Sequence, residues 1–535
     1  MSILCANAIG RKGNRAGAAY VILPRLTPLP ANMSNSPSRL SQWVASARPY
    51  FARRYLKRWL ALLAAVIVLW LAWPFFGLLG HLSEMQALVR LAPGLAGLDR
   101  PKTYLILVEN EDELRATGGY ITAAGTVTVH YGRVTNLAIE DAFAIDNLKL
   151  TYPRPPQPLQ DYMDAPQWLL RDANWSPDFP SSAALAEALY LATRPKQIDG
   201  VVALDQTSLR IMLAAIGPIS VAGFPTAINS DNLIVLLRAA REPAAGQTVN
   251  YDWWLHRKDF MPTVAQAMLH HVYLANWGSL LGGALQALDE RHVQITLKDP
   301  AAEAVLSQQG WDGRLAPGQG DYLMLVESNV GFNKVNADEQ SRLTYAVDLA
   351  NPQVPQATVS LAQTNPAAGQ VPCKPGPNYG SGHYADLIAR CYWSYVRLYT
   401  PRGAVLLNST THNVPASWML LGRPVTGTVT VAGGENGTQS FGTLVVVPFS
   451  TTLTTTVQYD LAPGALTLAN GQTTYTLRLQ KQAGVAGLPV SLSVHLPPGA
   501  VVRAAPAGGQ QQGDTWRLQL DLRQDTTLEL SYTSP

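Results

Sequence analysis

The chain has 535 residues, of which 47% are apolar and only 14% charged, with 42 glycines and 38 prolines; that supports packed cores and excludes wholesale disorder, and it suits an extracytoplasmic, strand-rich protein better than a cytosolic helical enzyme. The formal net charge of +3 hides an uneven distribution, because ten of the 40 basic residues and none of the 37 acidic ones fall in residues 1–58. The rest of the chain is therefore acidic overall, which argues against nucleic acid as a partner of the main body.

Residues 1–58 form a basic leader, with Met33 as an alternative start to Met1. Trp59 to Leu79 carries no charged residue, and at 1.5 Å per residue it covers about 30 Å, a bilayer's hydrocarbon thickness. Arg53, Arg54, Lys57 and Arg58 abut its start, so the positive-inside rule expects a single N-terminal transmembrane helix, a cytoplasmic leader and an extracytoplasmic body. The lipid bilayer is the first expected partner. Cys373 and Cys391 would then face an oxidising compartment and form a natural disulfide pair.

Residues 80–100 read as a juxtamembrane segment with a short amphipathic helix. From 101 to about 340 strands and helices alternate, which predicts an α/β domain with helices packed on a sheet. Residues 103–108 form a buried strand, and 119–131 and 133–139 a hairpin turning at Gly132. A helix then runs to about Thr193, capped by Ser181 or Ser182. Residues 198–204 are a strand, 206–216 a helix ending at Gly217-Pro218, and 219–222 a short strand. Asn232 to Arg241 is helical, and Lys258 to Asp289 is one helix or two, broken near Gly278 or Gly282-Gly283. Residues 292–298 are a strand, Asp299-Pro300 opens a helix, and 321–327 is another buried strand of this domain. Residues 341–414 are expected to be a linker and strand-rich connection, with 351–382 as loop. Alternating Thr/Val-rich runs over 415–535 predict an all-β sandwich.

Polar clusters sit at the ends of these elements, where sites in α/β sheets gather. Glu109 to Glu113 with Arg115 reads as a cation or phosphate site, with Mg2+ as a candidate cofactor, or as a solvated loop. Glu140-Asp141 ends the hairpin. Arg171, Asp172, Asn174 and Asp178 crowd the start of a helix, as ligand contacts or as caps and ion pairs. Arg257 and Lys258 also open a helix, where cations oppose the dipole unless an anion is near. Asn329 and Lys334 lie in a polar loop. The candidate catalytic residues are Arg115, Asp141, Arg171 and Asp172; the candidate ligand-binding residues are Asn174, Asp178, Arg257, Lys258, Asn329 and Lys334.

The motifs NEDELRATGGY, RDANWSPDF, IDGVVALD and SNVGFNK, with YVRLYTPRGA at 395–404, resemble the domain of unknown function 4012 family, a bacterial family whose name supplies no activity. More distantly, the layout is similar to the LytR-CpsA-Psr envelope proteins, signal-anchored transferases that move lipid-linked glycopolymers to peptidoglycan. On that likeness Arg115, Asp141 and Asn174 match the family's first arginine, aspartate and asparagine, while Arg257 and Lys258 stand for its later arginines. Thr117-Gly118-Gly119 replaces a Ser-Asp, and Glu140 replaces an arginine. The resemblance implies a mixed sheet with flanking helices. It also implies an envelope protein binding a glycan, a polyprenyl-linked ligand or a cell-wall polymer. An active Mg-dependent phosphotransferase and a purely structural or adhesive surface protein are the alternatives.

Overall fold

The computed structural model describes residues 82–534, apart from 370–372, 374 and 377–380. The basic leader, Met33 and the apolar run 59–79 lie outside the described residues. Among the described residues, no helix is long and apolar enough to cross a membrane.

Helix α1 (Leu82–Leu95) precedes β1 (Lys102–Asn110), whose apolar run fills the middle of a five-stranded sheet. The hairpin of β2 (Tyr120–His130) and β3 (Arg133–Asp141) turns at Tyr131-Gly132, both at positive φ. β4 (Gly200–Leu204) runs parallel to β1, and β5 (Val293–Leu297) antiparallel to β4, giving the order β3-β2-β1-β4-β5. The connections are helical. The first three are α2 (Ala142–Ile145), α3 (Gln157–Met163) and α4 (Phe179–Leu191). After β4 come α5 (Gln206–Ile216), α6 (Leu233–Ala240), α7 (Tyr251–His256), α8 (Met261–Val272) and α9 (Trp277–Asp289). α10 (Pro300–Gln309) closes the series after β5.

Of the three residues expected to cap α4, it is Asp178 and not Ser181 or Ser182 that does so; its carboxylate accepts from the Ser181 N–H (3.3 Å) and hydroxyl (2.6 Å). The long helical stretch breaks at 257–260 and at 273–276, the second just before Gly278 as one of the two expectations had it, and not at Gly282-Gly283. Asn276 caps α9 by accepting from the N–H groups of Gly278 and Ser279. Gly283 lies inside α9, where a Cβ would stand 3.4 Å from Ile211 of α5, so it permits close helix packing. The expected strand 219–222 is reduced to one bridge, Ile219 to Ile228.

β6 (Asp321–Asn329), expected in the α/β sheet, instead pairs antiparallel with β9 (Tyr392–Pro401) and parallel with the strand Gln472–Leu479. A fully buried apolar run carries no signal for which sheet it joins. β7 (Gln340–Asp348) and β8 (Gln356–Asn365) pair antiparallel in the facing seven-stranded sheet. The loop expected over 351–382 is therefore partly strand: β8 buries every second residue, Ala357, Val359, Leu361 and Gln363. The two large sheets enclose one apolar core that draws on β6 to β9 and on strands as far as Tyr532.

Between β8 and β9 lies the short helix α11 (Tyr384–Ile388). Cys373 and Cys391 form a disulfide at a sequence separation of 18. Chain-entropy arguments assign such a closure about 3 kcal/mol. Cys373→Ser with Cys391→Ser should lower the urea unfolding free energy by that amount. Reductant should produce the same drop in the parent and none in the variant; equal stability of both proteins would contradict it.

Candidate functional site

β1 leaves the sheet at Asn110 and enters a single 3-10 turn, Glu111–Glu113, which Asn110 starts by accepting from the Asp112 N–H. At the same end lie Tyr120 at the head of β2, Asp141 at the tail of β3, and a turn at Leu170–Asp172. These elements, with the ends of α6 and α7 and one side of α11, surround a pocket of ≈ 250 Å3. Five cations line it, Arg171, Arg241, Arg257, Lys258 and Lys334, against two carboxylates, Glu113 and Asp172. Phe143, Trp254, Tyr120 and Met163 supply much of the apolar wall.

Each cation but one is held by an acid. Arg171 donates to Asp146 (3.0 Å) with its guanidinium 4.4 Å over the Phe143 ring. Arg257 lies 3.6 Å over Trp254 and reaches Asp141 at 3.3 Å. Lys258 donates to the Thr122 carbonyl (2.9 Å) and lies 3.2 Å from the same Asp141. Lys334 meets Glu113 at 2.7 Å. Beneath the pocket, Arg115 forks between Glu113 and Asp172, both at 3.1 Å, and also donates to the carbonyls of Leu114 and Asn329. Arg241 is the exception. It is only 9% exposed. Its guanidinium lies 5.0 Å over Tyr384 and 5.9 Å over Trp254. Its Nη1 has no hydrogen-bond partner among the described residues. The nearest similar arginine, Arg238, is taken by Asp112 through two bonds of 2.8 and 3.1 Å, and the Tyr384 hydroxyl donates to the same carboxylate.

Counting the groups that hold the lining residues, six cations (Arg115 and the five above) meet four carboxylates, Glu113, Asp141, Asp146 and Asp172. The excess is two positive charges in a desolvated site. Burial, with Arg257 and Arg241 nearby, pushes Lys258 down to about 7 against the pull of Asp141. Burial also lowers Arg241. Glu113 is held below its ordinary value because Lys334 and Arg115 outweigh its burial. Burial raises Asp146 to about 6 despite Arg171. A desolvated cation excess with an unused donor is what an anion of two charges would complete.

The structure therefore brings together Arg171, Asp172, Arg257, Lys258 and Lys334, with Arg115 and Asp141 directly behind them. It does not bring in three other expected ligand residues. Asn174 is committed to Glu109 (3.0 Å) and the Gly119 carbonyl (2.7 Å). Asp178 caps α4 and accepts from Leu315 and Asn436. Asn329 bonds Asn333 and Asn336 at 2.9 Å each. Thr117-Gly118-Gly119 has a structural duty as well. Thr117 and the Gly119 N–H donate to Glu109, and Gly118 (φ +143) lies where a Cβ would stand 2.2 Å from that carboxylate. Burial raises Glu109 well above the carboxylate range.

Mg2+ does not fit. The acids of the Glu109–Glu113 run diverge: Glu111 accepts from the first N–H groups of α5 (2.9 Å each), Asp112 takes Arg238, and Glu113 takes Arg115 and Lys334. Among the described residues, no group of three or more His, Cys, Asp or Glu could hold a metal ion. A second cavity of ≈ 660 Å3 lies on the other side of that run, lined by Arg210, Arg238, Arg342 and Lys481; Arg238 is held by Asp112, Arg210 and Lys481 donate to backbone carbonyls, and Arg342 is exposed.

Sequence reading misses Arg241, Phe143 and Tyr120. Arg241 comes directly after the last turn of α6, where a cation complements the helix dipole and reads as ordinary capping. Trp254 belongs to the Tyr-Asp-Trp-Trp run just before Arg257, and that aromatic pair beside two cations is the available signal.

Residues 99–241 match the family described as protein of unknown function (DUF4012). That stretch covers the first part of the motif series and nearly all of the pocket's β1 to α6 wall. No curated protein matches the chain. A Legionella pneumophila protein described as nutrient binding is similar at 11% identity, covering 40% of this chain and 71% of its own, with a TM-score of 0.24. Leukotriene A4 hydrolase from Saccharomyces cerevisiae is similar at 8% identity over 36% of this chain and 29% of its own, TM-score 0.22. The Lin1025 protein from Listeria innocua is similar at 8% identity over 42% and 85%, TM-score 0.22. Scores this low establish no common fold. The LytR-CpsA-Psr likeness is shown by none of these.

Proposed function

We propose that the chain is a single-pass membrane protein whose body lies outside the cytoplasm and binds a phosphate-bearing ligand of the cell envelope, a glycan or a polyprenyl-linked polymer, in the pocket at the end of β1. The observation that carries the reading is Arg241: a buried guanidinium with an unpartnered Nη1 on the wall of a pocket with an excess of two positive charges. Leaving a buried donor unmade is costly, so its retention fits a ligand that supplies the acceptor. Binding is the reading these contacts favour over transfer, because the carboxylates that would hold a metal are spent on arginine and lysine.

The test uses the full chain in detergent, titrated calorimetrically with inorganic phosphate and pyrophosphate. Arg241→Met should weaken binding about tenfold or more, the loss expected for a charged hydrogen bond. The same variant should unfold at an equal or slightly higher temperature, since it removes an uncompensated buried cation. Unchanged affinity would exclude the pocket as the anion site. Failure of protease to reach the body in intact cells would exclude the extracytoplasmic placement separately.

A further inference from the structure

Lys258 sits in the short break between α7 and α8 and lines the pocket while only 8% exposed. Its surroundings are unlike those of a lysine that serves only as a charge. An ammonium has three hydrogens to place. Two acceptors are in reach, the Thr122 carbonyl on β2 at 2.9 Å and the Asp141 carboxylate at the tail of β3 at 3.2 Å. No third acceptor for Nζ lies among the described residues. That number suits the neutral amine, which gives two hydrogens and keeps a lone pair for the remaining direction. The neighbours favour the same form. Arg257 precedes Lys258 in the chain, Arg241 lines the same pocket, and Phe143 and Trp254 stand in its wall. Burial, with the repulsion of these two guanidiniums, brings the amine down to about 7 against the pull of Asp141. Near pH 8 about nine-tenths of such an amine is neutral, against fewer than about one in a hundred of ordinary exposed lysines.

A desolvated neutral amine among cations is the form of lysine that attacks a carbonyl carbon. The other parts of that step are beside it. A carboxylate within hydrogen-bond reach can carry its protons, and Asp141 occupies that place. A phosphate on the incoming molecule would meet the cation excess and the unused Nη1 of Arg241. We propose that Lys258 captures small phosphate-bearing aldehydes as a reversible Schiff base, with Asp141 as the proton carrier. Nζ attacks the carbonyl carbon, and Asp141 passes both nitrogen hydrogens, one after the other, to the oxygen. The oxygen leaves as water and a C=N bond replaces C=O, with nothing oxidised or reduced. This rests on the phosphate reading of the pocket and goes beyond it, since a sugar esterified at its carbonyl carbon offers no aldehyde.

The full chain in detergent is mixed near pH 8 with pyridoxal 5′-phosphate, reduced with borohydride and mapped by peptide mass spectrometry. A single imine should form, on Lys258, while the exposed Lys149, Lys196 and Lys298 stay unlabelled at the same concentration. Sulfate should protect Lys258, and pyridoxal lacking the phosphate should need a concentration about tenfold higher or more for the same labelling. These readings use the parent protein, so they do not depend on a variant that folds. Lys258→Met, with its circular dichroism unchanged, should form no imine. Label spread evenly over the exposed lysines would overturn the proposal. So would an unlabelled Lys258 in a chain that still binds inorganic phosphate calorimetrically, which would leave the phosphate reading standing and make Lys258 a plain phosphate contact. Labelling of Lys258 by pyridoxal as strongly as by its phosphate ester, without protection by sulfate, would overturn the phosphate reading and the proposal with it.

Discussion

Replacing Arg115 by Ala is expected to cost about 3–5 kcal/mol of folding free energy, the largest stability effect of any side chain near the pocket. Arg115 is 1% exposed and joins Glu113, Asp172 and two carbonyls, one of them on β6 of the sandwich. Removing it leaves two carboxylates facing each other without their shared cation. Lysine is no substitute, because a single ammonium cannot match a planar fork that serves four acceptors. Urea unfolding of the purified chain measures this, and a loss below about 1 kcal/mol would mean that Arg115 is not the keystone its contacts describe. The contrast with Arg241 is the informative part. Arg115 should matter for stability and only through it for binding, while Arg241 should matter for binding alone.

The second large effect is on pH. Lys258 is held near neutrality by burial, with its charge present below about pH 7 and lost above it. A phosphate monoester gains its second charge near pH 6. Affinity for a phosphate monoester should therefore rise up to about pH 6, peak between the two values, and then fall by up to about tenfold per pH unit as Lys258 deprotonates. Sulfate is a dianion throughout this range, so with sulfate the acid limb should vanish and the alkaline limb remain. Lys258→Met should bind more weakly overall and lose the alkaline limb. An alkaline limb that survives in that variant would assign it to another group.

Much of the fold is legible in the sequence because its signals are local. The run Thr103 to Val108, the glycine turn after His130 and the Gly217-Pro218 stop each depend on a few neighbouring residues, and each element lies where those residues put it. Partnership between distant strands is not local. β6 and β8 escape a sequence reading for that reason: the first has no polar face to orient it, and the second hides its alternation among Gln, Asn and Pro. The pocket shows the same division. Arg171, Asp172, Arg257, Lys258 and Lys334 stand out as charges in awkward places. Asn174 and Asn329 stand out equally and serve the fold, because a polar side chain near a strand end has the same composition whether it faces a ligand or a backbone carbonyl. What distinguishes Arg241 from the other lining cations is that no carboxylate among the described residues holds it while its buried Nη1 lacks an acceptor, and that is a property of three-dimensional packing alone.

The two ends of β1 lead to one last consequence. The strand has nine residues, a span of about 30 Å. The pocket and the turn at Tyr131-Gly132 are therefore held apart by one strand, so a ligand that fills the pocket leaves the far turn untouched.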